Sequence, residues 1–382
     1  MVDETIAPPK DFHHYSLGVR IFVSVYLSII LTAGIVGNGL VCAIFVTKRR
    51  LRTSINMIVF SLAIADILQS FNMIFMVICV NKGKWVLGYT FSQVNGFITI
   101  AFVVTSLLHL FLISLNRYIM ICLTKCRHLL SKKIALVGIA LAWGYPALLA
   151  IAPVLGWAKY EYRPGKLICT IRFNNDLSYT IILIASALLI PLVGLVYCYT
   201  KIMKVIIRNR RRIAKLDTAV GGDRRKEEIR IAVVLGVVVV SFIIFYAPAG
   251  VANLWEMTVD KSHVMPIYFD LTSVLLAMLN HANNPFIYGF MNKQFRETLM
   301  NWFGMSRDMG SNKGKKRKSQ SPQEPPLKLR VEENLMHTQT AKTDSCLPKS
   351  ITQNERAKRI SIPTQQSAGI FVARDACIGA LV

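Results

Sequence analysis

Charge is scarce in this chain, and acid is scarcer than base. Of its 382 residues 17% are charged, with 21 Asp and Glu against 45 Lys and Arg, while 53% are apolar. That balance excludes an ordinary soluble enzyme and points to a membrane protein. None of the eight cysteines forms a pair at zinc-type spacing, and several fall inside apolar runs, where a reduced thiol packs as a small hydrophobe. No basic segment followed by an apolar core opens the chain, so no cleaved signal peptide is expected and the first apolar run acts as its own insertion signal. Internal repeats are missing, which weighs against inverted-repeat transporters. Paired intramembrane aspartates and metal-ligand helix motifs are missing too, so no enzyme is expected.

What the chain does have is long apolar stretches. A spanning helix needs about 20 predominantly apolar residues, and such runs lie near 21–46, 56–80, 91–122, 134–154, 179–206, 229–256 and 266–290. Short polar connectors between them predict an all-α seven-transmembrane bundle. The net charge of +24 is concentrated in alternate connectors and in the C-terminal tail, which suits an anionic cytoplasmic membrane face better than nucleic acid. The rich set holds Lys48, Arg49, Arg50 and Arg52, then Lys125, Arg127, Lys132 and Lys133, then the arginines from Arg208 to Arg225. The N-terminus is therefore expected outside and the C-terminus in the cytoplasm, in the plasma membrane. The layout is an extracellular segment 1–20, a bundle 21–290, an amphipathic helix 291–303 on the inner membrane surface, and a disordered tail 304–382. In the amphipathic helix Phe295, Leu299, Trp302 and Phe303 recur at helical spacing.

Ionisable groups at membrane depth are costly and tend to be functional. Asp66 lies midway along the second run, Ser106 in the third, and Asn280, His281, Asn283 and Asn284 in the seventh. If these helices converge, Asp66, Ser106, Asn280 and Asn284 supply the oxygen ligands that sodium prefers. The alternative is a structural polar core in which Asp66 is protonated or bonded to Asn38 and Asn284. Pro146, Pro153, Pro191, Pro248 and Pro285 each remove a backbone hydrogen bond and permit a kink. Arg117 closes the third run and Glu228 precedes the sixth, so a bond between them would latch two helices at their inner ends. The alternative is that Arg117 snorkels to lipid phosphates.

These residues carry a resemblance. With "GNGLV" around Asn38, "SLAIAD" ending at Asp66, Trp85 with Gly88, "NRY" at 116–118, Trp143, Pro191 with Tyr199, Pro248 and "NPFIY" at 284–288, the chain resembles a class A, rhodopsin-like G-protein-coupled receptor over about residues 20–303. The local texture is opsin-like in the third helix and melatonin-receptor-like in "NRY". The resemblance implies that an extracellular small-molecule or peptide signal opens an inner cleft to a heterotrimeric G protein. It implies that Asn116, Arg117 and Tyr118 meet that partner, that Tyr199, Asn284, Pro285 and Tyr288 belong to the switch, and that Asp66, Ser106, Asn280 and Asn284 form a sodium pocket. Arrestin and receptor kinases would act on the tail, where "RKSQS" and "KRISIP" set serines beside basic residues. Membrane lipids are further partners, and nucleic acid is not.

Departures from the family qualify these expectations. Asn116 stands where an acid usually precedes the arginine, leaving Glu228 to hold Arg117 alone. Tyr246 replaces a tryptophan, so the helix pivot becomes Tyr246 with Pro248. His281 makes the polar pocket a candidate pH sensor. Ser92 occupies the place of one outer-loop cysteine, and Cys79 becomes the substitute partner for Cys169. The ligand pocket maps to Thr99, Tyr246 and Met278. Thr99 replaces the aspartate of amine receptors, and Met278 replaces the retinal-bearing lysine of opsins, so no covalent retinal is expected. A noncovalent light sensor of the same fold, or an ion or proton transporter using Asp66 and His281, are the alternative functions.

Overall fold

The computed structural model describes residues 15–213, 222–258, 266–291 and 293–302. The long helices are α1 (Leu17–Thr47), α2 (Ser54–Lys82), α3 (Gly88–Cys122) and α4 (Lys132–Val154). Helix α5 begins as Leu177–Ile182, passes through a π-helical stretch Leu183–Leu189 and continues as Ile190–Ile213. Then come α6 (Gly222–Thr258), α7 (Ile267–Met291) and the short α8 (Lys293–Trp302). The predicted runs and the observed helices coincide to within a few residues at most ends. Among the described residues, six helical segments are long and apolar enough to cross a membrane. The remaining long helix, α7, carries the polar group from Asn280 to Asn284.

Local chemistry sets the helix ends. Ser16, Thr53 and Ser131 stand at the N-caps of α1, α2 and α4, where each hydroxyl accepts from the backbone N–H of Val19, Asn56 and Ile134. Such caps satisfy donors that the first turn leaves without partners. Helix α2 stops at Gly83, whose φ of 71° is open to glycine and costly for other residues. In α5, Pro191 has no N–H to give and its ring crowds the carbonyl one turn back, and the turn before it widens to π geometry, with Ile190 N–H donating to Ala185. The expected kink thus takes the form of a π stretch.

One element was not anticipated. The α4–α5 connector folds into an antiparallel hairpin of β1 (Tyr160–Arg163) and β2 (Ile168–Ile171), with Tyr162 opposite Cys169. "PGK" supplies its turn. The hairpin is seated on α3: Tyr160 fills a gap at Gly96, where any Cβ would overlap its ring. The Tyr160 hydroxyl donates to the carbonyl of Ala150 at 2.7 Å. Asn95 Oδ1 accepts from Cys169 N–H at 2.8 Å, Asn95 Nδ2 donates to Asn72 Oδ1 at 2.7 Å, and Asn72 Nδ2 donates to Thr99 Oγ1 at 3.0 Å. Cys79 and Cys169 are both buried free thiols. The bridge expected from the resemblance is therefore not formed, and these side-chain bonds hold the hairpin in its place.

The N-terminal segment 1–14, the tail from 303 with its serine motifs, and Phe303 lie outside the described residues. Within α8, Phe295 is buried and packs with Val41, Ile44 and Leu51, while Trp302 is exposed. This two-sided character matches the amphipathic pattern of the sequence.

Asn95→Ala leaves the Cys169 N–H and Asn72 Oδ1 without their partner. It should destabilise the protein by about 1–3 kcal/mol, read as a lower thermal midpoint in lipid nanodiscs.

Candidate functional site

The helices bring the intramembrane polar residues to one point. Asp66 is fully buried. Its Oδ1 accepts from Ser106 Oγ at 3.2 Å and lies 2.8 Å from His281 Nδ1, and its Oδ2 accepts from Asn284 Nδ2 at 2.8 Å. On the far side of the imidazole, Nε2 lies 3.0 Å from the hydroxyl of Tyr246. With the proton on Nδ1, His281 donates to Asp66 and accepts from Tyr246, so one chain of bonds runs from α6 through α7 to α2. Asn38 of α1 joins by donating to the His281 carbonyl at 3.0 Å. Five helices are thereby tied to one carboxylate, since Ser106 belongs to α3.

As bonded here, Asp66 has no uncommitted carboxylate oxygen to offer a sodium ion. A small hard cation wants several free oxygens, and both oxygens of Asp66 are engaged by protein donors, one of them the imidazole of His281. Asn284 turns its Nδ2 to the carboxylate, and among the described residues Asn284 Oδ1 and both amide atoms of Asn280 are buried without a partner.

A second group lies at the opposite end of α3 from the hairpin. Arg117 is 9% exposed, and its Nη1 lies 3.4 Å from Met120 Sδ. Tyr199 of α5 is buried and faces Ser114 and Arg117. Tyr118 meets Tyr197 edge-on, with ring centroids 5.9 Å apart, and Asn116 is buried beside them. The side chains of Glu228 and Tyr288 lie outside the described residues, and with them the latch between Arg117 and Glu228. Pro248 stands inside α6 and Pro285 inside α7, without interrupting either helix.

Between these layers and the hairpin lies a cavity of about 290 Å³ bordered by α3, α5, α6, α7 and β2. Thr99, Tyr246 and Met278 all line it, so the three expected pocket residues share one wall space. Tyr246 also stacks on Phe242, with centroids 4.5 Å apart. It is the residue through which the cavity touches the Asp66 group.

Sequence reasoning missed the hairpin's contribution. Lys166 lines the cavity with its side chain 5% exposed. Its Nζ donates to Asn253 Oδ1 at 2.8 Å and to Glu256 Oε2 at 3.3 Å, and Arg163 pairs with the same Glu256 at 2.8 Å. Burial pulls the Lys166 ammonium below the usual lysine range, while Glu256 and Asp270 act in the opposite sense. The available signal was the lysine directly after the Pro164–Gly165 turn, with Glu256 near the end of the sixth apolar run.

A family model described as 7 transmembrane receptor (rhodopsin family) matches residues 37–288. The chain belongs to the rhodopsin family of seven-transmembrane receptors. Among curated relatives of this receptor, mouse melatonin receptor type 1A is 31% identical over 69% of the chain and 74% of its own length. Melanopsin-A of Gadus morhua is 26% identical over 80% of the chain and 55% of its own length, so the receptor spans about half the length of that relative. Squid rhodopsin superposes with a TM-score of 0.68 at 21% identity, over 84% of this chain and 98% of the other. That likeness shows the shared fold.

His281→Ala removes a hydrogen bond to a buried carboxylate and should lower the unfolding free energy by about 2–3 kcal/mol, measured by thermal or denaturant unfolding in nanodiscs. Tyr246→Phe removes a neutral bond only and should cost about 1 kcal/mol. Exchanging sodium for choline at constant ionic strength should leave the wild-type midpoint in place.

Proposed function

We propose that this receptor converts occupation of the cavity under the β-hairpin into opening of the opposite end of the bundle to a heterotrimeric G protein. The observation that carries the reading is Tyr246, which lines the cavity and lies 3.0 Å from His281, itself 2.8 Å from Asp66. A ligand that favours a different seat for the Tyr246 ring acts on the bonds that hold α2, α3 and α7 together. Such a ligand shifts the balance of two packings only by its difference in affinity for them.

Charge supports the direction of signalling. The lysine-rich and arginine-rich connectors stand on the Arg117 side, which supports a cytoplasmic position for that end by the positive-inside rule. The hairpin and the cavity then face outward. Arg117, Tyr118 and Tyr199 form the inner layer, where α6, bending at Pro248, would uncover a cleft. With Asn116 in place of an acid, the inner hold on Arg117 falls to Glu228, and basal signalling rises accordingly. Arrestin and receptor kinases belong to the same reading through the serine motifs of the tail.

A noncovalent light sensor is the second reading. Melanopsins and a rhodopsin appear among the similar proteins by name, and Met278 lines the cavity where opsins carry the retinal-bearing lysine. A chromophore held here would be held without a covalent link through that position.

The test is guanine-nucleotide exchange on purified heterotrimers by the receptor in nanodiscs, screened against small molecules, lipids, peptides and illumination. At least one stimulus should accelerate exchange, and Arg117→Ala should reduce that acceleration at least tenfold with the thermal midpoint preserved. Glu228→Ala should raise exchange without any stimulus. Failure of every stimulus, together with ion flux into receptor-bearing vesicles, would replace the receptor reading by transport through Asp66 and His281.

A further inference from the structure

The polar atoms of the cavity are unevenly committed. Of the described residues that line it, Lys166 and Tyr246 are the ionisable ones. Tyr246 is engaged by His281. Thr99 accepts from Asn72 and donates to the carbonyl of Asn95, and Ser273 donates to the carbonyl of Asp270. What remains at the hairpin end is a set of donors. An ammonium has three N–H groups, and two of those on Lys166 are taken by Asn253 Oδ1 and Glu256 Oε2. The amide N–H groups of Asn253 have no partner among the described residues. The hydroxyl of Thr170 on β2 completes the polar lining.

Charge is balanced at the same place. Lys166 and Arg163 share Glu256, and Asp270 lies against the Gly165 turn within electrostatic reach of Lys166. Two cations thus face two carboxylates. A ligand bringing a net charge of either sign would leave one charge uncompensated in a buried, nearly apolar shaft, a cost of several kcal/mol. The hairpin holds this geometry by strain: Leu167 is a non-glycine residue at a left-handed φ of 55°, buried to 1% exposure. That conformation costs about 1–2 kcal/mol, and it turns the chain directly after Lys166.

The far wall says how a ligand arrives. Leu189 of α5 and Leu254 of α6 both line the cavity, yet they are 49% and 52% exposed. Their exposed faces lie on the lipid-facing side of the bundle, so the cavity is bordered there by residues that also meet the bilayer. The hairpin covers the opposite approach.

We propose that the cavity takes an uncharged, elongated lipophile bearing one carbonyl-type hydrogen-bond acceptor, and that Lys166, with Asn253, anchors that acceptor beneath the hairpin. This rests on the cavity being the receptor's ligand site. The apolar body lies along Val104, Leu107, Leu188 and Phe242, and the acceptor end sits against the Lys166 ammonium.

The test uses four probes that share a ten-carbon chain, against the full chain in lipid nanodiscs: methyl decanoate, decane, decane-1-sulfonate and decyltrimethylammonium. Binding is read as competition with tritiated methyl decanoate, with no G protein present. Methyl decanoate should bind about tenfold tighter than decane, the worth of one charge-assisted hydrogen bond, and tighter than either charged probe. Lys166→Met keeps the side-chain volume and should bring the ester down to the affinity of decane. If that variant does not fold, Asn253→Leu supplies the same comparison. A charged probe that outcompetes the ester, an ester preference that survives in the variants, or no saturable binding of the ester would each overturn the proposal. Ester binding with the expected head-group dependence but no nucleotide exchange under any stimulus would instead uphold the anchor and refute the signalling role.

Discussion

A carboxylate in the middle of a bilayer has no water to turn to, and the packing of this bundle is organised around that constraint. Asp66 is fully buried, and an uncompensated carboxylate there would cost more than a typical domain's spare stability. Ser106, His281 and Asn284 supply three donors to its two oxygens. Because those donors come from α3 and α7, satisfying one charge fixes the relative depth and rotation of three helices. Tyr246 and Asn38 extend the same network to α6 and α1.

The position of Tyr246 gives this polar core its mechanistic interest. A phenol has an apolar ring and a polar tip; here the ring stacks on Phe242 and lines the cavity while the hydroxyl reaches His281. A single side chain therefore belongs to two environments that are otherwise separate. A change in what fills the cavity is felt by the hydrogen bonds around Asp66, and any chemistry at Asp66 is felt in the cavity. His281 makes this coupling direct by standing at the carboxylate itself.

The hairpin end of the bundle shows a different solution to a common problem. The hairpin over the cavity is held down by buried amides and a tyrosine rather than by a disulfide. Asn95 grips the backbone at Cys169, Tyr160 plugs the gap at Gly96, and Lys166 and Arg163 pin the turn to Glu256 of α6. Each bond is modest alone. Together they join the hairpin to α3 on one side and to α6 on the other, so that movement of α6 and seating of the hairpin are linked.

Much of this was legible in the order of residues. Runs of about 20 apolar residues determine spanning helices because hydrocarbon tolerates no unbonded backbone, and the seven runs appear as α1 to α7. The gathering of Asp66, Ser106 and Asn284 was also readable, because isolated polar residues in such runs must face inward. The hairpin was not readable: "YEYR" and "ICTI" are short, and a two-stranded ribbon is stable only when something packs against it, here Asn95 and Gly96 some 70 residues earlier in the chain. Nor could sequence say that the His281 ring would stand at Asp66, or that Lys166 would turn into the cavity. Sequence by itself determined which segments cross the membrane and which of their residues cannot face lipid, since those follow from local composition against a fixed solvent. Which of the inward-facing groups bond to one another was decided only by the tertiary structure, because hydrogen bonds of about 3 Å depend on helix rotations and depths that no single segment carries.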